Sequence, residues 1–358
     1  MAGMTRPGPT GYNRGMDPRF KQDESLAAGT QRILEMKLVA ALEHLQSPPE
    51  RRDEGIHECR KCLKYARALL RLVGEGMPKA AFRRWNVTLR NAARCISGLR
   101  DATALLECLD TLAAEFGGVD AASCRVPAAP GLAPKTKEAG SLFYESATSC
   151  REALAGRGAA GPASGPVSAD AAVEKASLLI SGMLTTPHDP GLGRGREARI
   201  LGAGLRRSYK RGRRAMKCML KTGDVQAAHE WRKRAKDLRY QVAMLRDVWP
   251  GVCNALEGEL HRLTDLLGQI HDLDLVEKAL AALPSGPVAD KALNPVRGRA
   301  KQSAETAAAE ARRLGARLYG DTPEEFVEKV TRWWRLWRSE PCRANGTAQQ
   351  DSEGKKHD

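Results

Sequence analysis

Two stretches of this chain carry the same cations at the same spacing. "HECRKCLKYARALLRLV", from His57, and "HEWRKRAKDLRYQVAML", from His229, align without a gap at an offset of 172, and six of their seventeen positions are identical. Five of the six are His57/His229, Arg60/Arg232, Lys61/Lys233, Lys64/Lys236 and Arg67/Arg239. On a helix that turns 100° per residue these five positions fall within an arc of roughly 120°, so each stretch presents a basic stripe. The chemistry available to such a stripe is capture of anions. Arg grips two oxygens of a phosphate at once, Lys adds charge with little geometric demand, and His becomes a cation only when protonated. Glu58 and Glu230, the sixth identity, are expected to point off the stripe and leave it unneutralised.

A single stripe of this kind is ordinarily a solvated face. Two copies argue otherwise, because a solvated face tolerates exchange of Lys for Glu or Gln at small cost, whereas here the cation types are kept while the rest has diverged. If the stripes meet, like charges about 4 Å apart repel by roughly 1 kcal/mol in water and by several-fold more in a less polar cleft, so an anion is expected between them.

The elements that must position these residues are helices. Only 5% of the 358 residues are aromatic and the chain is rich in Ala, Leu, Arg and Glu, a composition that favours helix over strand. Periodicity and punctuation predict helices over roughly 26–46, 50–74, 78–116, 136–155, 170–185, 196–222, 224–249, 251–283, 286–318 and 322–338. "GDTPEE" offers Asp321 or Thr322 as a helix cap. Within the repeats, Leu63, Ala66, Leu70 and Val73, and correspondingly Ala235, Leu238, Val242 and Leu245, form the face next to the stripe and are the expected core. A second match, "GLRDATALL" from Gly98 with "QIHDLDLVE" from Gln269, aligns Asp101 with Asp272. The expected fold is therefore all-α, with two four-helix bundles related by a pseudo-twofold axis. Its units are a disordered tail over 1–24, an N-terminal bundle over 25–155, a Gly/Ala/Pro linker over 156–169, a C-terminal bundle over 170–338 and a second disordered tail over 339–358.

A net charge of +15 predicts attraction to a polyanion, without choosing among nucleic acid, anionic membrane and polyphosphorylated ligands. Nine scattered cysteines do not read as a disulfide framework, and the first twenty residues lack the apolar core of a secretory signal, so a cytoplasmic protein is expected. No apolar run approaches the roughly 20 residues of a membrane span.

The motifs resemble those of the CHAD domain, the conserved histidine α-helical domain. Its signature His-x-x-Arg-Lys-x-x-Lys-x-x-Arg-Tyr is similar to "HEWRKRAKDLRY" at 229–240, its "LGxxHDLD" element is similar to "LGQIHDLDL" at 267–275, and the resemblance extends over about residues 25–338. It implies a basic central channel that binds inorganic polyphosphate, with association with polyphosphate granules as a further implication. By position, His229, Arg232, Lys233, Lys236 and Arg239 would line that channel opposite His57, Arg60, Lys61, Lys64 and Arg67. Arg206, Lys210, Arg213 and Arg214, from "GLRRSYKRGRRAMK", would add charge. The first half departs from the signature at Ala68, where the second has Tyr240, and at Arg100, where the second has His271. No Glu-x-Glu-x-Lys strand of the triphosphate-hydrolysing CYTH domain is found, so the chain is expected to be the binding module alone, without enzymatic activity, cofactor or metal.

Two other functions compete with this one. Any phosphate backbone would suit the cations, so nucleic acid is a secondary partner, although apart from Tyr240 the stripes lack aromatics for stacking on bases. "HDLD" at His271 resembles the His-Asp pair of metal-dependent phosphohydrolases, but further ligands from separate helices would be needed. Cys59 and Cys62 form a lone CxxC, expected to be buried small residues, and "TRWWRLWRSE" is expected to pack its aromatics, Trp333 and Trp337 on one face, against the bundle. The histidines suggest that affinity rises as pH falls through about 6.5.

Overall fold

The computed structural model describes residues 17–97, 108, 169–185, 190–192, 195–281 and 287–341. Every regular element among them is helical: α1 (Leu26–Leu45), α2 (Arg52–Val73), α3 (Lys79–Cys95), α4 (Ala169–Leu184), α5 (Glu197–Thr222), α6 (Val225–Met244), α7 (Pro250–Ala281), α8 (Pro287–Leu318) and α9 (Pro323–Ser339). Short 3-10 turns lead into α2 at Pro49–Arg51 and follow α6 at Arg246–Val248. Most of the punctuation read from sequence acts where expected. Thr322 caps α9 by accepting from the Glu325 amide, and the Glu325 carboxylate accepts in return from the Thr322 amide at 2.8 Å. The expected helix over 136–155, the far part of 78–116, and the match around Arg100 and Asp101 lie outside the described residues.

The packing follows the apolar periodicity. On α2, Ile56, Cys59, Leu63, Ala66, Leu70 and Val73 repeat at intervals of three and four and are buried; on α6, Ala228, Trp231, Ala235, Leu238 and Val242 do the same, with Leu245 buried just beyond its end. Each large aliphatic side chain so buried stabilises by about 1.5–3 kcal/mol. Helix α2 also buries Cys62, Tyr65, Ala68, Leu69 and Leu72, because it meets neighbours on several sides. It packs on α1, α3, α5 and α6. Around it α3 packs on α4 and α4 on α1, while in the second half α5 packs on α6, α6 on α7, α7 on α8, α8 lightly on α5, and α9 covers α5. Cys59 and Cys62 are buried as expected, and burial pushes the Cys59 thiol up to about 12, leaving it unreactive.

Two boundaries differ from the expectation. Helix α4 falls within the expected C-terminal bundle, yet the helices it packs on are α3 and α1, and Arg52 of α2 pairs with Asp170 at its start. The Gly/Ala/Pro composition before it marks a break between helices, and such a break has the same composition inside a unit as between units. The N-terminal tail likewise ends earlier than residue 24. Phe20 is buried against Trp334, its amide donates to the Met244 carbonyl at 3.0 Å, and Tyr65 donates to the Pro18 carbonyl at 2.8 Å. Arg338 of α9 donates to the carbonyls of Gln22 and Glu24. A non-helical strap has no period by which to recognise it. In α9 the buried tryptophans are Trp334 and Trp337, whereas Trp333 lies edge-on against the exposed Trp249.

Helices α2 and α5 approach at Gly204, where a Cβ would lie 1.9 Å from the Leu72 carbonyl oxygen. Backbone cannot yield as a side-chain tip does. Gly204→Ala is expected to destabilise the protein by about 1–3 kcal/mol through separation of these helices; chemical denaturation measures it, and an unchanged midpoint would mean that the helices do not touch there.

Candidate anion-binding site

The contact between α2 and α6 brings the two repeats face to face. Gln241, buried, donates through Nε2 to the Ala68 carbonyl at 3.2 Å; the Tyr65 and Tyr240 rings lie 5.3 Å apart; and Arg71 forms an ion pair of 2.7 Å with Asp237. Along this seam the cations of one repeat act on those of the other. Burial pulls the Lys236 amine down to about 7, with Arg232, Lys64 and Arg239 adding to the effect and Asp265 of α7 opposing it. Burial likewise pulls Lys64 down to about 8, helped by Arg60, by Arg232 from the opposite repeat and by Lys61. Neither amine makes a hydrogen bond or ion pair with a described residue, and the Lys64 side chain is reached by solvent.

The neighbouring positions divide into free and partnered groups. Arg232 lies against Gly268 of α7, where any Cβ would collide with its guanidinium, and its buried Nε has no partner. Arg60 donates to the Ser97 carbonyl at 3.2 Å, using part of its fork, and Arg67 donates to Asn86 at 3.3 Å. Burial and Arg71 pull Arg67 down to about 10, so it remains charged at neutral pH. Arg239 is already paired with Glu257 at 3.1 Å, and Glu257 also binds Arg246. His229 stacks near His271 with ring centroids 4.5 Å apart; burial, Lys233 and His271 push it down to about 4, and burial lowers His271 as well. His57, on α2, is half-buried.

Several expectations need correction here. Glu58 pairs with Lys61 at 2.7 Å, and Glu230 approaches Lys233 at 3.7 Å while also binding Arg234, because residues three and four apart on a helix are neighbours. Lys61 and Lys233 are therefore exposed, partly neutralised edges of the stripes. On α5, Arg206 pairs with Glu324 of α9, Lys210 acts on the same carboxylate, and Arg213 acts on Tyr209, which stacks on Phe326 of α9 at 4.3 Å. These three residues face α9. The α5 cations turned toward the α2–α6 seam are Arg207, paired with Glu75, and Arg211, pulled down by burial and by Arg234, Arg207 and Arg71. Arg214 shares their face by helical spacing and is exposed.

Sequence comparison of the repeats missed the cluster of Arg71, Arg234 and Arg211 around Asp237. In the other copy Arg71 corresponds to Ala243, Arg234 to Cys62 and Asp237 to Tyr65, so matching by identity discarded them. A search for Arg at intervals of four on α5 would have found Arg207 and Arg211. Because Arg206 lies on the α9 side, Arg206→Gln is expected to change affinity for a polyanion in the seam by less than about twofold, within the range of exposed ion pairs; titration calorimetry decides, and a tenfold loss would return α5's outer face to the site.

A family model of the CHAD domain matches residues 37–282. The chain belongs to the CHAD domain family. No curated protein matches it. The CHAD match includes all of the seam, from Arg60 to Arg239, and stops at the end of α7, so α8, α9 and the partner of Arg206 lie beyond it. The structure is all-helical among the described residues, as the family resemblance implied, and no described helix is long and apolar enough to cross a membrane. No three described His, Cys, Asp or Glu side chains are placed to share a metal ion.

Proposed function

We propose that the chain binds inorganic polyphosphate along a basic channel between two four-helix bundles related by a pseudo-twofold axis. The observation that carries this reading is the meeting of Lys64 and Lys236. They occupy matching positions in the two repeats, Lys64 lowers the pKa of Lys236, Arg232 lowers both, and neither is ion-paired with an acid among the described residues. Matching residues gathered along one seam support a twofold relation between the halves, and amines left uncompensated call for an anion. Supporting the bundles is the ring of contacts α1–α2–α3–α4 and back to α1, and its counterpart α5–α6–α7–α8.

Polyphosphate fits because it is an unbranched string with about one charge per internal phosphate and no bases to read. Arg60, Lys64, Arg67 and Arg71 recur every three or four residues along α2, and Arg232 and Lys236 do so on α6, so helical turns space the donors along such a string. The CHAD family is associated with polyphosphate-related proteins, which agrees with this choice. In this reading the chain holds the polymer without cleaving it, and recruitment to cytoplasmic polyphosphate granules is a natural use. A salt titration with equal charge concentrations of polyphosphate, DNA and RNA tests it, with a phosphate-release assay in Mg²⁺ and Mn²⁺ alongside. Binding to polyphosphate is expected to be at least about tenfold tighter than to either nucleic acid, without phosphate release, since backbone attraction alone does not distinguish polymers. Tighter binding to nucleic acid, or turnover, would overturn it.

A further inference from the structure

The first turns of α7, the end of α8 and the middle of α9 converge around a cleft of about 400 Å³, and none of the seam residues lines it. Its walls are apolar: Val252 and Leu256 come from α7, Leu314 and Leu318 from α8, and Phe326 and Trp333 from α9. Leu314 and Phe326 are buried and the other four are half-buried, so the cleft has a covered floor and sides that a ligand can reach. Its volume is in the range that holds small molecules. The two rings are also fixed from behind. Phe326 stacks on Tyr209 at 4.3 Å with 14° between the planes, and Trp333 stands edge-on to Trp249 at 5.1 Å. A wall held in place this way loses little freedom when a flat ligand settles on it.

Charge at the mouth selects the occupant. Lys329 binds Asp321 at 2.6 Å, and Arg262 pairs with Glu310 and approaches Glu259 at 4.0 Å, so these charges offset one another. Arg317, exposed on the last turn of α8, forms no ion pair or side-chain hydrogen bond with a described residue. One uncommitted guanidinium beside an apolar floor matches one anionic group on a planar apolar body, and its fork takes a carboxylate through both oxygens. A polyphosphate does not suit these walls, which offer its oxygens no donors. We propose that the cleft binds a small aromatic carboxylate, with its ring against Phe326 and Trp333 and its carboxylate on Arg317. Helices α8 and α9 lie beyond the matched CHAD segment, and the proposal does not rest on the polyphosphate reading.

The test uses the full chain and 2-naphthoate, titrated by ligand-observed NMR, with naphthalene-2-carboxamide as the uncharged counterpart. The acid is expected to bind with a Kd on the order of 1 mM or tighter, as befits a ligand of this size. The amide should bind about threefold to fivefold more weakly, the range for an exposed charge pair. Arg317→Gln should bring the two to equal affinity. Val252→Trp, which fills the cleft with a larger side chain, should weaken both by at least about tenfold. If circular dichroism shows that this variant does not fold, benzophenone-4-carboxylate is photolysed with the wild type and its attachment located by peptide mass spectrometry. Residues 252–262 and 314–333 are then the expected sites. Binding unchanged in Val252→Trp, a preference for the acid that survives Arg317→Gln, or attachment on α2 and α6 overturns the inference, because the acid is then held by the basic seam. No binding at about 10 mM, well above the expected Kd, overturns it as well. So does self-association in the ultracentrifuge that Val252→Trp abolishes, which would give the cleft to a second copy of the chain.

Discussion

Affinity for polyphosphate is expected to fall by on the order of a thousandfold between pH 6 and pH 9, and the lysines rather than the histidines set the window. In the free protein Lys236 and Lys64 titrate near 7 and 8. A bound anion restores their ordinary affinity for protons, near 10.4, so binding takes up about one proton above pH 7 and approaches two above pH 8. Each proton taken up weakens binding tenfold per pH unit. Below about pH 6.5 both amines are already charged and this dependence flattens. His229 does not replace it, because with its free value near 4 it stays neutral through the range in which an ordinary histidine would switch. The sequence alone places the transition at about 6.5; burial moves the histidine below it and brings the lysines down to just above it. Calorimetry in buffers of different ionisation enthalpy measures the proton count directly, and a transition centred at 6.5 with flat binding above pH 7 would contradict this assignment.

The same two amines should cost the empty protein stability. Their folded values lie below the unfolded one, so the unfolded chain binds more protons between about pH 7 and pH 10 and the stability of the free protein rises with pH across that window. Lys236→Met therefore has two expected results of opposite sign. At pH 7 or below it should raise the melting temperature of the free protein by about 2–4 °C, as replacing an uncompensated buried charge by an apolar group of similar length commonly stabilises. It should also weaken polyphosphate binding by roughly tenfold to a hundredfold, the loss of one charge-assisted hydrogen bond of about 1.5–3 kcal/mol. A residue serving only the core would lose stability and leave binding unchanged, so a lower melting temperature with wild-type affinity would place Lys236 outside the site.

Much of this arrangement is legible in the sequence because it is local or repeated. Helix ends follow from caps and breakers such as Thr322, and the buried faces of α2 and α6 follow from apolar residues every three or four positions. Lys64 and Lys236 stand out because the repeat kept them. What the sequence hides depends on which helices touch. Asp237 has no acidic counterpart in the first repeat, and only the approach of α2 and α5 to α6 adds Arg71 and Arg211 to its own-helix neighbour Arg234. Helical spacing also could not say that Arg206 and Lys210 turn toward Glu324 of α9, more than a hundred residues further on. The strap at Phe20 is hidden for a different reason, since its contacts with Trp334 and Met244 leave no pattern in its own residues.

The most direct measurement is calorimetric titration of the wild type, Arg60→Gln/Lys64→Met and Arg232→Gln/Lys236→Met with polyphosphate of one defined length. One polymer spanning both repeats predicts a single site, comparable losses in the two variants, and a combined variant whose loss is less than the sum because the surviving contacts act together. Two independent sites with additive losses, or binding that survives intact in either double variant, would contradict a seam shared by the two halves.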